Sequence, residues 1–409
     1  MTEALGRSFA SLKIPNYRRY FTGQLVSISG NWIQTVAELW LIVTLTGSGV
    51  AVGVTTALQF LPMLLVGAWG GLIADRVPKR RLLIGTQTLH MLPPLALFAI
   101  ALSGDASAIA VFAVAFSRGL VNAVDYPTRQ AFVIEIVGPD RVVNAVSLNS
   151  ALIHSARIIG PALAGVLIAT VGVEPCFALN AASFGVMVVA LAGMDTDALR
   201  PSELAPRERG AVGAALRYVR ATPQLWIPLG LMAIVGTLGF NFQAILPLLA
   251  RFTFEGGASA YAALVCAMGV GAVAGALTTG ARGRVSPGLL AGAAICFGAL
   301  ALLAAGMPSL ATEVAVLAPL GAASVILAAS INSALQLASE PSMRGRVMAL
   351  YSVVFLGSTP IGAPLAGWLS EAIDPRAALV MAGVAALIAG ALARLAFARV
   401  AADQRLAAA

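Results

Sequence analysis

The feature that most constrains this chain is a series of apolar blocks, each about 20 residues or longer, separated by polar segments. A helix of that length crosses the roughly 30 Å hydrocarbon layer of a bilayer. Lipid excludes lone strands and loops, because their backbone groups find no water to bond there. Only 11% of the 409 residues are charged, against about 25% in soluble domains. We therefore predict an all-α membrane protein.

The blocks predict twelve transmembrane helices in two six-helix bundles. The predicted spans are 20–46, 50–74, 82–103, 107–134, 145–171, 174–194, 225–251, 259–280, 287–306, 312–337, 347–370 and 376–400. The longest polar interval predicts a cytoplasmic linker at 195–222, between an N-terminal bundle (1–194) and a C-terminal bundle (223–409).

The two halves also repeat each other. Segment 139–165 overlays 341–367, and the shared residues include Gly160/Gly362 and Gly165/Gly367. Parallel repeats of this kind form transporters in which the substrate site lies between the halves.

The basic residues predict the orientation, because cytoplasmic loops carry an excess of Lys and Arg. With both termini in the cytoplasm, 22 of the 26 Lys and Arg residues fall on that side. Arg251 and Arg376 lie outside, and Arg118 and Arg157 lie within spans. We predict a multi-pass protein of the bacterial plasma (inner) membrane, without a cleaved signal peptide. The net charge of +8 is therefore topological, and we expect no nucleic-acid partner.

The loop after the second span reads Gly-Gly-Leu-Ile-Ala-Asp-Arg-Val-Pro-Lys-Arg-Arg over residues 70–81. It resembles the signature loop of the major facilitator superfamily, with Pro78 in place of the usual glycine. The resemblance implies the major facilitator fold and a conformational latch. The latch residues would be Gly71, Asp75, Arg76 and Arg80, with Asp125 pairing with Arg76 or Arg80 and Arg129 beside it. The alternative is that these charges only set topology.

The fifth span carries a second motif, with Gly160, Pro161 and Gly165. It resembles the glycine-proline motif of the superfamily's exporters, although ordinary small-residue packing also accounts for it. Segments over 16–24, 45–48, 58–62, 125–131 and 148–150 are similar to the branch that contains the enterobactin and macrolide exporters. That resemblance implies proton-driven efflux of a small molecule and leaves the substrate open.

Polar residues follow single faces of several spans at helical spacing. In the first span they include Gln34 and Glu38, and in the fourth Arg118 and Asn122. Burial and a neighbouring arginine act in opposite directions on the proton affinity of a carboxylate, so Glu38 is a candidate for proton coupling. The alternatives are a permanent ion pair with Arg118 or Arg157 that braces the bundle, and direct contact with substrate.

Further cavity residues are predicted on both halves. Two arginines against one acid leave an excess positive charge, which would suit an anionic or catechol-like substrate or bind carbonyl oxygens. His154 shares a face with Arg157 and could relay protons, although a structural role is the simpler reading. A less polar wall of the cavity, without a buried acid, is predicted from the remaining candidates: Trp32, Phe240, Asn241, Gln243, Asn332 and Gln336.

These patterns predict a proton-coupled exporter of a drug, siderophore or other secondary metabolite, acting by alternating access. The alternative is a facilitator-type importer or a lipid or lysophospholipid flippase on the same fold. A membrane enzyme or receptor is disfavoured, because the chain carries no HExxH motif, nucleophile elbow or phosphate loop. We expect no metal site and no cofactor, the proton gradient as the energy source, and a monomer whose partners are substrate, protons and the lipid bilayer.

Overall fold

The computed structural model describes residues 10–200, 211–282, 286–340 and 343–408. These residues are nearly all helical and include no strand. We number the α-helices as α1 (Pro15–Thr46), α2 (Gly49–Arg76), α3 (Lys79–Ser103), α4 (Ala108–Val137), α5 (Val142–Val171), α6 (Glu174–Ala192), α7 (Ala211–Ala221), α8 (Pro223–Leu238), α9 (Phe242–Leu248), α10 (Ala258–Arg282), α11 (Pro287–Ala305), α12 (Leu310–Ala338), α13 (Arg344–Gly357), α14 (Thr359–Ala372) and α15 (Pro375–Ala408).

Eleven helical segments in the described part of the chain are long and apolar enough to cross a membrane. They match eleven of the twelve predicted spans to within three residues at each end, except that the second segment ends at Gly67 rather than at 74. The remaining predicted span is α1, which is 32 residues long and falls outside this set. It carries the polar stripe of Gln34 and Glu38, and a polar stripe lowers the hydropathy of a helix without shortening it.

Two predicted spans are broken rather than continuous. The seventh span comprises α8, α9 and a π-helical segment, Leu249–Thr253, and it breaks at Gly239–Asn241. The eleventh span comprises α13 and α14, which part at Ser358. Pro360 lies in the first turn of α14, where its missing N–H costs no helical bond. Part of the predicted linker is also helical, because α7 lies inside it.

The described residues form two compact units. The first comprises those within Met1–Gly47, Leu58–Pro206 and Gly257–Cys266. In it α1 packs on α4, α5 and α6, and α3 packs on α4 and α6. A buried aromatic pair, Tyr17 and Tyr20, anchors the start of α1, and the Tyr17 hydroxyl donates to the carbonyl of Ala145 at 2.9 Å.

The second unit comprises the described residues within Ser48–Ala57, Arg207–Gly256 and Ala267–Ala409. In it α15 packs on α8, α11 and α14, and α12 packs on α8 and α11. Helix contacts in both units rely on small residues, since apolar side chains gain nothing by leaving lipid for one another and close packing drives association instead. Gly271 and Gly275 of α10, for example, lie directly against the backbone of α12.

Candidate functional site

A buried ion pair between Glu38 of α1 and Arg118 of α4 lies in the first unit. Glu38 is fully buried and Arg118 is 4% exposed. The second terminal nitrogen of Arg118 donates to Asn31 Oδ1 at 2.9 Å and to Thr35 Oγ1 at 3.2 Å. The guanidinium therefore has three acceptors, all from α1. A buried charge is tolerated where it is paired and hydrogen-bonded in this way.

Amide side chains extend the network on the other side of Glu38. Gln34 donates to Glu38 Oε2 at 3.2 Å, and Gln59 of α2 donates to Glu38 Oε1 at 3.3 Å. Asn180 of α6 donates in turn to Gln34, and Ser183 donates to Asn180. Both oxygens of the carboxylate thus accept bonds, and the network joins helices α1, α2, α4 and α6 within one unit.

Arg157 of α5 has a different environment from Arg118. Its guanidinium lies over the indole of Trp32, 5.1 Å from the ring centroid. It makes no ion pair or hydrogen bond with any residue in the described part of the chain. Cations are attracted to the face of an indole, but the ring leaves the charge un-neutralised and the N–H donors unused.

His154 and Asn122 are half-buried residues of the same unit. His154 lies one turn before Arg157 on α5, and its Nδ1 atom is buried without a hydrogen-bond partner among the described residues. No acid contacts it there, and its role as a proton relay stays a prediction.

A second polar cluster involves Asp125 and corrects the predicted latch pairing. Asp125, which is 3% exposed, forms an ion pair with Arg129 rather than with Arg76 or Arg80. The two residues lie four apart on α4, where side chains meet on one face. Thr86 and Gln87 of α3 also donate to Asp125, at 2.6 and 2.7 Å.

The signature-loop residues bind elsewhere. Arg80 donates to the carbonyl oxygens of Leu191 and Ala192 at 2.8 and 2.7 Å. These carbonyls close α6, where a helix end leaves its acceptors unpaired and favours a cation. Arg76 is exposed, and a Cβ at Gly71 would meet nothing within 4 Å. The side chain of Asp75 lies outside the described part of the structure.

The glycines of the fifth span mark close helix contacts. A Cβ at Gly160 would lie 2.5 Å from the Cβ of Trp32 and 2.8 Å from the carbonyl oxygen of Ser29. One at Gly165 would lie 2.3 Å from the Cβ of Ala262. Pro161 is buried beside Gly160. Gly160 thus lets α1 and α5 come into contact at Trp32, the residue whose indole lies next to the guanidinium of Arg157.

The candidates in the second unit form an aromatic and amide group. Phe240 packs edge-on against Phe297, with ring centroids 5.3 Å apart, and Phe242 packs on the same ring. The side-chain amide of Asn241 donates to the carbonyl of Thr237 at 2.7 Å. The carbonyl oxygens of Asn241 and Gln243 are both buried without a partner among the described residues.

Two further observations concern α12. Gln336 donates to Asn332 at 2.6 Å in an exposed pair on this helix. The prediction that the second half has no buried acid is wrong, because Glu313 in the first turn of α12 is 1% exposed. Glu313 lies within the predicted span 312–337, and packing of the helix encloses its side chain.

Sequence reasoning did not assign the amides that complete the network around Glu38. Gln59 and Asn180 are single polar residues in apolar stretches, off the polar stripes that drew attention. Their positions inside predicted spans could have identified them, because a lone amide within the membrane needs a hydrogen-bond partner.

Comparisons with known proteins agree with this architecture. The model of the transmembrane secretion effector family matches residues 6–408. The enterobactin exporter EntS of Citrobacter koseri is 27% identical over 389 residues, covering 92% of this chain and 91% of that protein. The staphyloferrin A transporter of Staphylococcus aureus is 28% identical over 256 residues, covering 61% of this chain and 64% of that protein.

Solved structures show the same fold at low identity. A bacterial homologue of the human lysosomal transporter Spinster, in an inward-facing and unoccupied conformation, has a TM-score of 0.74 at 16% identity, covering 93% of this chain and 97% of that one. The nucleoside transporter NupG has a TM-score of 0.73 at 12% identity, covering 93% and 99%. The chain is thus a multi-pass membrane transporter rather than an enzyme, and it belongs to the transmembrane secretion effector family of the major facilitator superfamily.

Proposed function

We propose that this protein is a secondary active transporter that exports a small molecule, in the first place a siderophore, by proton antiport and alternating access. We place it in the bacterial inner membrane with both termini in the cytoplasm, acting as a monomer on substrate and protons without a cofactor. The names of the two relatives, an enterobactin exporter and a staphyloferrin A transporter, support the substrate class. The single observation that carries the coupling is the buried pair of Glu38 and Arg118.

Proton coupling follows from what protonation does to this pair. A proton on Glu38 removes the charge that holds Arg118, and Arg118 then keeps only Asn31 and Thr35 as acceptors. An uncompensated buried cation is costly, so the helices rearrange or the cation takes up another anion. Release of the proton restores the pair. Exchange of a proton for an anionic or polar substrate is therefore a natural cycle for the site.

The competing reading of the same contacts is a permanent brace. Three donors already satisfy Glu38, as expected for a residue that only holds four helices together. Coupling and bracing differ in what the variant Glu38→Gln does. Glutamine keeps the size and most hydrogen bonds of the site but cannot exchange a proton.

The experiment measures siderophore accumulation in inverted membrane vesicles, with and without an acidic lumen. Enterobactin and staphyloferrin A serve as the probes. We expect wild-type vesicles to accumulate one of them only under the gradient, Glu38→Gln to lose gradient dependence, and the control Asp105→Asn, at an exposed acid after α3, to keep it. Full gradient dependence in Glu38→Gln would leave the brace as the role of Glu38.

The direction of transport is tested in intact cells that express the protein. The alternative function is a facilitator-type importer or a lipid or lysophospholipid flippase, and one solved neighbour of the same fold is a nucleoside transporter. Export predicts depletion of substrate from expressing cells. Accumulation in those cells would favour import, and movement of a labelled lysophospholipid between leaflets would favour the flippase.

A further inference from the structure

Three cations of the first unit form ion pairs inside it. Lys79 pairs with Glu135 at 2.7 Å, Arg118 with Glu38, and Arg129 with Asp125. Arg80 has no such acid but bonds to the carbonyls that end α6. Arg157, deep in α5, has neither an acid nor a hydrogen-bond acceptor among the described residues, so no ion pair there neutralises its charge.

The surroundings of Arg157 hold the side chain without consuming its donors. The guanidinium carbon of Arg157 lies 5.1 Å from the centroid of the Trp32 indole, and Gly160 lets the Cβ of Trp32 approach α5 closely. Arg157 is half-buried rather than sealed. A guanidinium whose N–H groups are not used by the protein can bind both oxygens of a carboxylate at once.

The nitrogens of Arg118 are not free to bind a substrate, because they already donate to Glu38, Asn31 and Thr35. From the sequence alone, Arg118 and Arg157 were equally good candidates for binding substrate. The structure shows that their surroundings differ. An ionisable group in the membrane that has no internal partner needs a functional one, since an unpaired charge there is costly. The Nδ1 of His154, one turn before Arg157 and buried without a partner among the described residues, offers a second polar contact.

We propose that the transported molecule is a small organic anion, and that Arg157 binds its acidic oxygens while Trp32 contacts its planar part. This inference rests on the proposed transport function and specifies the substrate class. It assigns charge recognition to Arg157 and leaves Glu38 and Arg118 to the proton. Neutral molecules of the same shape are then poor ligands.

The test is equilibrium binding to the full chain in lipid nanodiscs, with no gradient. The probes are 1-naphthoate and 1-naphthamide, which match in shape and differ in charge, and empty nanodiscs correct for partition into lipid. Wild type should bind naphthoate about tenfold to a hundredfold more tightly than naphthamide, because a hydrogen bond to a charged group contributes about 1.5–3 kcal/mol. Arg157→Gln should remove the preference, and Arg157→Met gives a second neutral variant if the first does not fold.

Two further variants assign the parts of the site. Trp32→Leu should weaken both probes to a similar extent, because it removes the ring and not the charge. Arg18→Gln, at an exposed arginine of α1, is the matched control and should keep the wild-type ratio. Equal binding of the two probes by wild type, or an unchanged ratio in Arg157→Gln and Arg157→Met, would overturn the inference.

The outcome separates this inference from the proposed function. Selective binding of naphthoate without gradient-driven transport would refute proton antiport and support the anion site. Gradient-driven transport with equal binding of both probes would refute the anion site and support antiport.

Discussion

The contact of Gly160 with α1 yields a prediction whose size follows from the structure. In Gly160→Ala the new Cβ would lie 2.5 Å from the Cβ of Trp32, 2.8 Å from the carbonyl of Ser29 and 3.3 Å from the amide nitrogen of Ile33. Carbon atoms pack at about 3.5–4.0 Å, so α1 and α5 must separate by about 1 Å. Two of the three atoms belong to the backbone and cannot rotate away. Overpacking of this kind costs about 1–3 kcal/mol.

Gly160→Ala also gains helix propensity, about 1 kcal/mol in soluble helices, which has to be separated from the packing cost. Gly85→Ala in α3 provides the control, because its Cβ would meet nothing within 4 Å. Both variants gain the propensity term, so the difference between them isolates packing. We expect Gly160→Ala to unfold with a free energy about 1–3 kcal/mol below that of Gly85→Ala, measured by titration with dodecyl sulfate in mixed micelles. Equal stability of the two variants would refute the close contact.

Three other predictions use the same unfolding assay. Arg118→Met should lower the free energy of unfolding by about 3–5 kcal/mol, because it leaves the buried carboxylate of Glu38 without its cation. Adding Glu38→Gln to this variant should recover part of that loss. Strictly additive effects of the two substitutions would contradict direct pairing. Asp125→Asn should also cost about 3–5 kcal/mol, since Arg129 loses its carboxylate, and an unchanged midpoint would show that the pair is not formed. Gly362→Ala should destabilise the second unit, because its Cβ would overlap the carbonyl oxygen of Thr237, and wild-type stability would exclude that contact.

The sequence was sufficient for the helices because membrane spans carry their own signal. A span needs about 20 apolar residues wherever it packs, so its position depends little on the rest of the fold. The breaks at Gly239–Asn241 and at Ser358 were not predicted, because hydropathy is the same on both sides of a break. Glu313 was overlooked as a buried acid, because the burial of a residue near a span end depends on how its helix packs.

Pairings between side chains were harder to predict than helices. Spacing placed Glu38 and Arg118 on polar faces but could not decide between Arg118 and Arg157 as the partner, because that choice depends on how α1, α4 and α5 pack. Asp125 shows how a local interaction was overlooked. Arg129, four residues along α4, was available as a partner, and the family pattern directed attention to the loop arginines instead.

The repeat within the chain shows how the two units came to differ. Gly160 and Gly362 occupy equivalent places in the repeat, and each allows a close helix contact, with Trp32 in the first unit and with Thr237 and Asn241 in the second. The repeat position of Arg157 is occupied in the second unit by Thr359. The two units therefore share the glycine that permits a close helix contact, but they differ in the side chain three residues before it.

That difference argues for a division of labour between the repeats. The first unit places an aromatic ring next to its glycine contact, with a cation that has no ion-pair partner among the described residues, and it also contains the carboxylate of Glu38. The second places Asn241 there, whose carbonyl oxygen is buried without a partner among the described residues. An amide oxygen accepts hydrogen bonds and does not titrate. We therefore propose that charge recognition and proton coupling belong to the first unit, and that Asn241 selects the substrate in the second unit by shape and hydrogen bonding.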